Sequence, residues 1–190
     1  MSATPRERII STACQLLERQ GFHASGLNQI VEESGAPKGS LYHYFPGGKT
    51  EIVIQAVAQA AVQTVQRIEH HLSAQRDAAA GARSLVEAIA DQVEQSGFRA
   101  GGPLMTVALE TVHASPAINQ ACRQAYQWLQ DTFARRLQQA GVNAARARSL
   151  ALFIVAVIEG AVLLSRTQHS GEALRQAGVY LEQVIRTELN

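Results

Sequence analysis

Lys38, Gly39, Ser40, Tyr42, His43, Tyr44 and Lys49 crowd into one short stretch, and no acidic side chain interrupts it between Ser34 and Thr50. These are groups that can read an anionic polymer. A lysine ammonium donates to a guanine edge or a phosphate, a serine hydroxyl bonds to either base type, and a glycine lets the backbone approach closely. The phenols of Tyr42 and Tyr44 and the ammonium of Lys49 can grip phosphates and fix register. Lys49 also stands near the start of a long helical pattern, where the positive helix end favours anions.

Other constellations carry less. Glu110 and His113 stand at i, i+3, the spacing of half a di-iron carboxylate site. Such a site needs a second Glu-x-x-His, and the chain has none; His70, His71 and His169 lie at no ligand spacing. Neither metal nor cofactor is expected. No nucleophile, base and orienter fall together as a triad, so no enzyme is expected either.

The donors need a scaffold, and Leu27–Phe45 reads as helix, tight turn, helix. Ile30 and Val31 supply the buried side of the first short helix. Gly35 suits the left-handed turn between helices. Pro37 falls where a missing N–H costs nothing, in the first turn of a second helix over Pro37–Tyr44. Leu41 and Phe45, four apart, anchor that helix and leave its donors outside. The pattern alone fits a DNA-reading helix-turn-helix and an ordinary helical hairpin with a polar face equally.

The rest of the chain is helical in period. Ile9, Ala13, Leu16 and Leu17 make one stripe that Gly21 closes, with Phe22 folding back over it. A long stripe runs from Ile52 to Leu72, and breaks delimit helices near 82–96, 103–113, 117–140, 143–167 and 172–188. The fold class expected is all-α, with about nine helices. A shift from short to long helices divides it into a three-helix domain over 1–47 and a larger helical domain over 48–190.

Composition narrows the function. The chain has 190 residues with 17 Lys+Arg against 16 Asp+Glu, a formal net charge of +1, so any nucleic-acid contact must be a local patch. Lys38 and Lys49 are its only lysines. Cys14 and Cys122 lie far apart without metal spacing, as small buried residues of a reducing compartment. The N-terminus does not read as a signal peptide, and the apolar run Leu150–Leu164, broken by Glu159, is short of the ~20 residues needed to cross a bilayer. A cytoplasmic protein is expected.

The segment Gly35-Ala36-Pro37-Lys38-Gly39-Ser40-Leu41-Tyr42-His43-Tyr44-Phe45-Pro46-Gly47-Gly48-Lys49 resembles the DNA-binding signature of the TetR family of bacterial repressors. Its Pro-Lys-Gly-Ser opening and Phe-Pro-Gly-Gly-Lys close resemble the LmrA/YxaF-like branch. Downstream, Gly102-Pro103, Ala108–Glu110 and Ile158-Glu159-Gly160-Ala161 are similar to that branch's ligand-binding domain. The resemblance implies that Ser25, Asn28, Lys38, Gly39, Ser40, Tyr42, Tyr44 and Lys49 fall where such repressors touch DNA, with His43 on the same face. Two residues depart from the pattern. Gly26 stands where Ser or Thr commonly caps the second helix, and Tyr44 stands where His is frequent.

The larger half is expected to sense a small hydrophobic or aromatic molecule, since ligand sites in bundles form between facing helices. Its candidate lining is Met105, Leu109, Glu110, His113, Trp128, Phe133, Phe153 and Val157, though the aromatic residues equally suit plain core. The helix around Leu150–Leu164 is apolar on nearly every face and must be covered all round. A second copy is the simplest cover. Glu159, Gly160, Leu163 and Leu164, joined by Leu174, Leu181 and Ile185 of the last helix, are the expected dimer interface. Together these expectations describe a homodimeric repressor on a palindromic operator in double-stranded DNA, released by its inducer. The alternatives are an activator, or a ligand-binding or carrier protein that leaves DNA alone.

Overall fold

The computed structural model describes residues 3–37 and 39–189, and among them every regular element is a helix. The order is α1 (Pro5–Ala24), α2 (Leu27–Ser34), α3 (Ser40–Tyr44), α4 (Gly48–Ala74), α5 (Ala78–Gln95), α6 (Pro103–Thr111), α7 (Pro116–Gln139), α8 (Ala144–Gln168) and α9 (Glu172–Leu189). They form two compact units. The first is Met1–Val62 with Gly102–Tyr126, and the second is Gln63–Gly101 with Gln127–Asn190. This division differs from the expected one at 47/48. The reason is α6, which packs on α1 and so belongs with the N-terminal helices.

In the first unit the α1 stripe is the floor. Ile9, Ala13, Leu16 and Leu17 are wholly buried, as are Ile30, Phe45, Ile52, Val53, Ala56, Val107 and Ile118 from the helices around it. α1 starts with a capping box: the Thr4 hydroxyl accepts from Glu7 N–H, and the Glu7 carboxylate accepts from Thr4 N–H at 2.8 Å. At its far end Gly21 adopts φ 79°, ψ −175°, a left-handed break at the position where the stripe stops. α2 begins at Gly26 with no side-chain cap bond, which leaves an N–H that Ser or Thr would satisfy.

In the second unit α9 packs on α5 and α8, and α5 on α8. α5 begins four residues earlier than its expected start at 82. Asp77 caps it, its carboxylate accepting from Ala80 N–H at 2.8 Å. Gly81, which reads as a break in the sequence, lies inside the helix at a close approach, where a Cβ would come within 2.7 Å of the Leu72 Cα. Arg175 bridges Asp91 and Glu94, and Glu182 lies between Arg83 and Arg186. Exposed pairs of this kind contribute little each, so burial holds α9 and the ion pairs align it.

α8 shows two faces. Ala147, Ala151, Ile154, Val155 and Val162 are buried, while Leu152, Phe153, Leu163 and Leu164 point out, each about half exposed. At 25 residues it is also longer than its apolar run, and meets the length and composition of a membrane span. The last helix corrects an expectation. Leu174, Leu181 and Ile185, assigned above to a dimer interface, are at most 1% exposed within the single chain. The α9 stripe is used up against α5 and α8, and its outward side carries Tyr180.

Leu181→Ala should therefore lower unfolding free energy by about 2–5 kcal/mol, as buried Leu→Ala changes do. Chemical denaturation at two protein concentrations checks it. A loss that grows on dilution would return Leu181 to the subunit interface.

Candidate nucleic-acid interface

The hairpin of α2 and α3 is set by its inner side chains. Ile30 and Val31 bury α2, and Leu41 (3% exposed) with Phe45 (0%) pins α3 to the first unit's core. Between them Gly35 adopts φ 61°, its N–H donating to Glu32 O and ending α2 in the left-handed conformation. The helix that follows is shorter than the Pro37–Tyr44 read from sequence, since regular structure starts at Ser40. Gly39 is already in the right-handed helical region at φ −68°.

With the inner face pinned, the outer face is defined. Tyr42 is 67% exposed, His43 is exposed and Tyr44 half-buried, and the His43 and Tyr44 rings meet edge to face at 5.1 Å. Asn28 and Gly39 are exposed as well. Lys38 and the Ser40 side chain lie outside the described residues.

Two sequence-assigned contacts are differently placed. Ser25 is fully buried, and its hydroxyl donates to Gly21 O at 2.6 Å, closing the end of α1 instead of facing a phosphate. Lys49 Nζ donates to Phe22 O at 2.6 Å and lies 4.2 Å from the centre of the Phe22 ring. Burial pushes the Lys49 ammonium below the usual lysine range, and the Glu110 charge opposes that shift.

Comparison with known proteins decides the family. The model for bacterial regulatory proteins of the tetR family matches residues 9–56, and that for the C-terminal domain of LmrA/YxaF-like transcriptional regulators matches residues 78–179. The chain belongs to the TetR family. The HTH-type transcriptional regulator LmrA of Bacillus subtilis is 37% identical across 89% of this chain and 90% of its own length. The regulator YxaF of the same organism is 37% identical across 85% of each. The fold matches that of regulatory protein TetR from Rhodobacter sphaeroides, with a TM-score of 0.82 at 19% identity over 95% of this chain and 98% of that one. The protein is thus a transcriptional regulator of a family that binds DNA and is not enzymatic.

Residues that the sequence reading passed over hold this regulator's hairpin in place. Arg8 of α1 reaches the turn: its Nε donates to Ser34 O at 3.1 Å and its Nη2 to Gly35 O at 3.2 Å. The guanidinium thereby satisfies carbonyls left over at the end of α2. Glu18 accepts from Gly102 N–H at 2.8 Å, and Glu110 from His23 N–H at 2.8 Å. The partners are backbone groups far along the chain, so no side-chain motif announces them.

The remaining candidates for ligand contact divide between the two units. In the first unit Met105 of α6 is half-buried and Leu109 68% exposed, and His113, in the turn after α6, is exposed, while the Glu110 carboxylate accepts from the His23 N–H. In the second unit Phe133 is core and Trp128 partly exposed; on α8 Val157 is half-buried and Phe153 faces outward with Leu163 and Leu164.

The cysteines carry a prediction. Burial, with Glu18 nearby, pushes the Cys14 thiol up to about 12, and burial alone pushes Cys122 up to about 11. Both are then thiols at neutral pH and poor nucleophiles. Iodoacetamide at pH 8 should label neither in the folded protein and both after denaturation, read by intact mass. Rapid native labelling of either would contradict the burial described here.

Proposed function

We propose that the protein is a homodimeric repressor whose two α3 helices enter successive major grooves of a palindromic operator, with centres about 34–36 Å apart. The observation that supports this most directly is the division of α3. Leu41 and Phe45 are buried while Tyr42 and His43 face solvent, in a segment without acidic residues. Asn28, Gly39, Tyr42, His43 and Tyr44 would face the operator, with Lys38 and Ser40 opening the recognition segment.

The half-exposed apolar residues of α8 support the dimer. Leu152, Phe153, Leu163 and Leu164 recur on one side of the helix, with Gly160 between them and Tyr180 on α9. A regulator that works on DNA in the cytoplasm covers such a face with a second copy, not with lipid. Glu159, at the margin of this stripe, would flank the interface.

Release would follow from a small hydrophobic or aromatic effector held by the larger helical part. Binding would favour a conformer in which α4 and the hairpin are displaced, so that the recognition helices no longer match the groove repeat. A coupling of ~1–3 kcal/mol is normal for such a switch.

Two measurements test the reading. Lys38→Ala should weaken binding to a palindromic fragment taken from beside the protein's own gene and relax its sequence preference, by about 1–3 kcal/mol if the ammonium reads a base. Wild-type affinity and preference in that variant would remove the recognition helix from the interface. Leu163→Glu should give, by light scattering, the mass of one chain where the wild type gives two. A wild-type monomer, or an intact Leu163→Glu dimer, would reject this face.

A further inference from the structure

The peptide group between Phe22 and His23 is held at both ends by charged side chains from other helices. Its carbonyl accepts from Lys49 Nζ of α4 at 2.6 Å, and its N–H donates to Glu110 Oε2 of α6 at 2.8 Å. The peptide is trans, so its two polar ends point in opposite directions and the two charges flank one flat unit. An ammonium at the oxygen and a carboxylate at the N–H polarise the amide in the same sense, and each strengthens the other's bond. The Phe22 ring closes over the Lys49 ammonium at 4.2 Å.

The residue before this peptide makes room for it. Gly21 turns left-handed at φ 79°, and any side chain there would collide with the Glu110 carboxylate. A second carboxylate works in the reverse direction, Glu18 of α1 accepting from the N–H of Gly102, the N-cap of α6. Each of these two helices therefore sends a carboxylate to a backbone N–H at an end of the other.

We propose that Lys49 and Glu110 are positioning residues for operator binding: through the Phe22–His23 peptide they fix α1, and with it α2 and α3, to α4 and α6. The proposal rests on the DNA-binding reading above and gives both residues a role other than contact with a ligand. A Lys49 that gripped a phosphate would have to leave both the carbonyl and the ring it now occupies. Glu110 facing an effector would have to release the His23 N–H. Arg8 carries the constraint onward, joining α1 to the turn in front of α3 at Ser34 O and Gly35 O.

The test uses the full-length protein, the operator fragment named above and a salt titration of affinity for each variant. Lys49→Ala and Glu110→Ala should each weaken operator binding about tenfold, the cost of one charged hydrogen bond. The double variant should be little worse than either single one, because both act on one peptide. The salt slope should stay at the wild-type value, and Lys49→Arg should restore most of the affinity. Glu110→Gln keeps the size and an acceptor, so it covers the case in which Glu110→Ala fails to fold.

Hydrogen exchange at the His23 amide gives a readout without DNA, about tenfold faster in Glu110→Ala. A salt slope reduced by about one in Lys49→Ala would make Lys49 a phosphate contact and overturn its assignment. Additive losses, or wild-type operator affinity in folded Glu110→Ala, would overturn the coupling. If the wild type binds no operator, the regulator reading fails and the positioning role with it. A His23 amide that exchanges as fast in the wild type as in Glu110→Ala removes the junction by itself, whatever DNA does.

Discussion

A helix of five residues, the length of α3, cannot hold its own shape. Nucleating a helix fixes several residues for one hydrogen bond, and isolated helices below about 12–15 residues are marginal in water. α3 must therefore take its geometry from what it is pinned to. Two side chains do this, Leu41 and Phe45, both sunk in the core beside the α1 stripe. The outer face of α3 can be only as well placed as α1 is, so on the proposed reading the supports of α1 belong to the DNA-binding apparatus.

Those supports are arranged along the length of α1. Thr4 and Glu7 close its first turn, and Arg8 spans from it to the end of α2. Glu18 holds the start of α6, and past Gly21 the Phe22–His23 peptide takes Lys49 and Glu110. Apolar burial supplies most of the free energy but is non-directional and tolerates small slides. Hydrogen bonds to single backbone groups do not slide, because their strength falls steeply outside narrow distances and angles. The stripe brings α1 and α6 together, and the charged contacts choose among the ways they can lie.

How much of this could be read beforehand follows from the range of each interaction. The α1 stripe, the Gly35 turn and the inner pair Leu41 and Phe45 are local patterns with helical spacing, and they fold as read. The start of α5 does not. Gly81 looks like a break until Leu72 is placed against it, and Asp77 is the cap that the break concealed. Leu174, Leu181 and Ile185 form a correct stripe, but a stripe states that a face is buried without naming the chain that buries it. Ser25 and Glu110 make bonds that the sequence does not announce, for a further reason. Their partners are main-chain atoms, Gly21 O for one and His23 N–H, 87 residues away, for the other. Side-chain patterns carry no record of such pairings.

On the proposed DNA-binding reading, the balance of charge makes placement matter more than attraction. The segment up to Thr50 carries Arg6, Arg8, Arg19, Lys38 and Lys49 against Glu7, Glu18, Glu32 and Glu33. Arg6 is engaged by Gln55 and the Phe45 ring, Arg8 by backbone carbonyls, Arg19 by Glu33 and Lys49 by Phe22. Among the described residues the cations of this segment thus support the fold first. A regulator that released many counterions would gain affinity in proportion to its phosphate contacts, whatever its exact pose. The segment up to Thr50 has few cations to spend, so on the proposed DNA-binding reading discrimination would rest on bonds to base edges and hydroxyl contacts that work only at the right distance. Short polar contacts of that kind lose their value with displacements of less than an ångström. A hairpin locked to α1, and α1 locked at both ends to its neighbours, is the architecture such a binding mode requires.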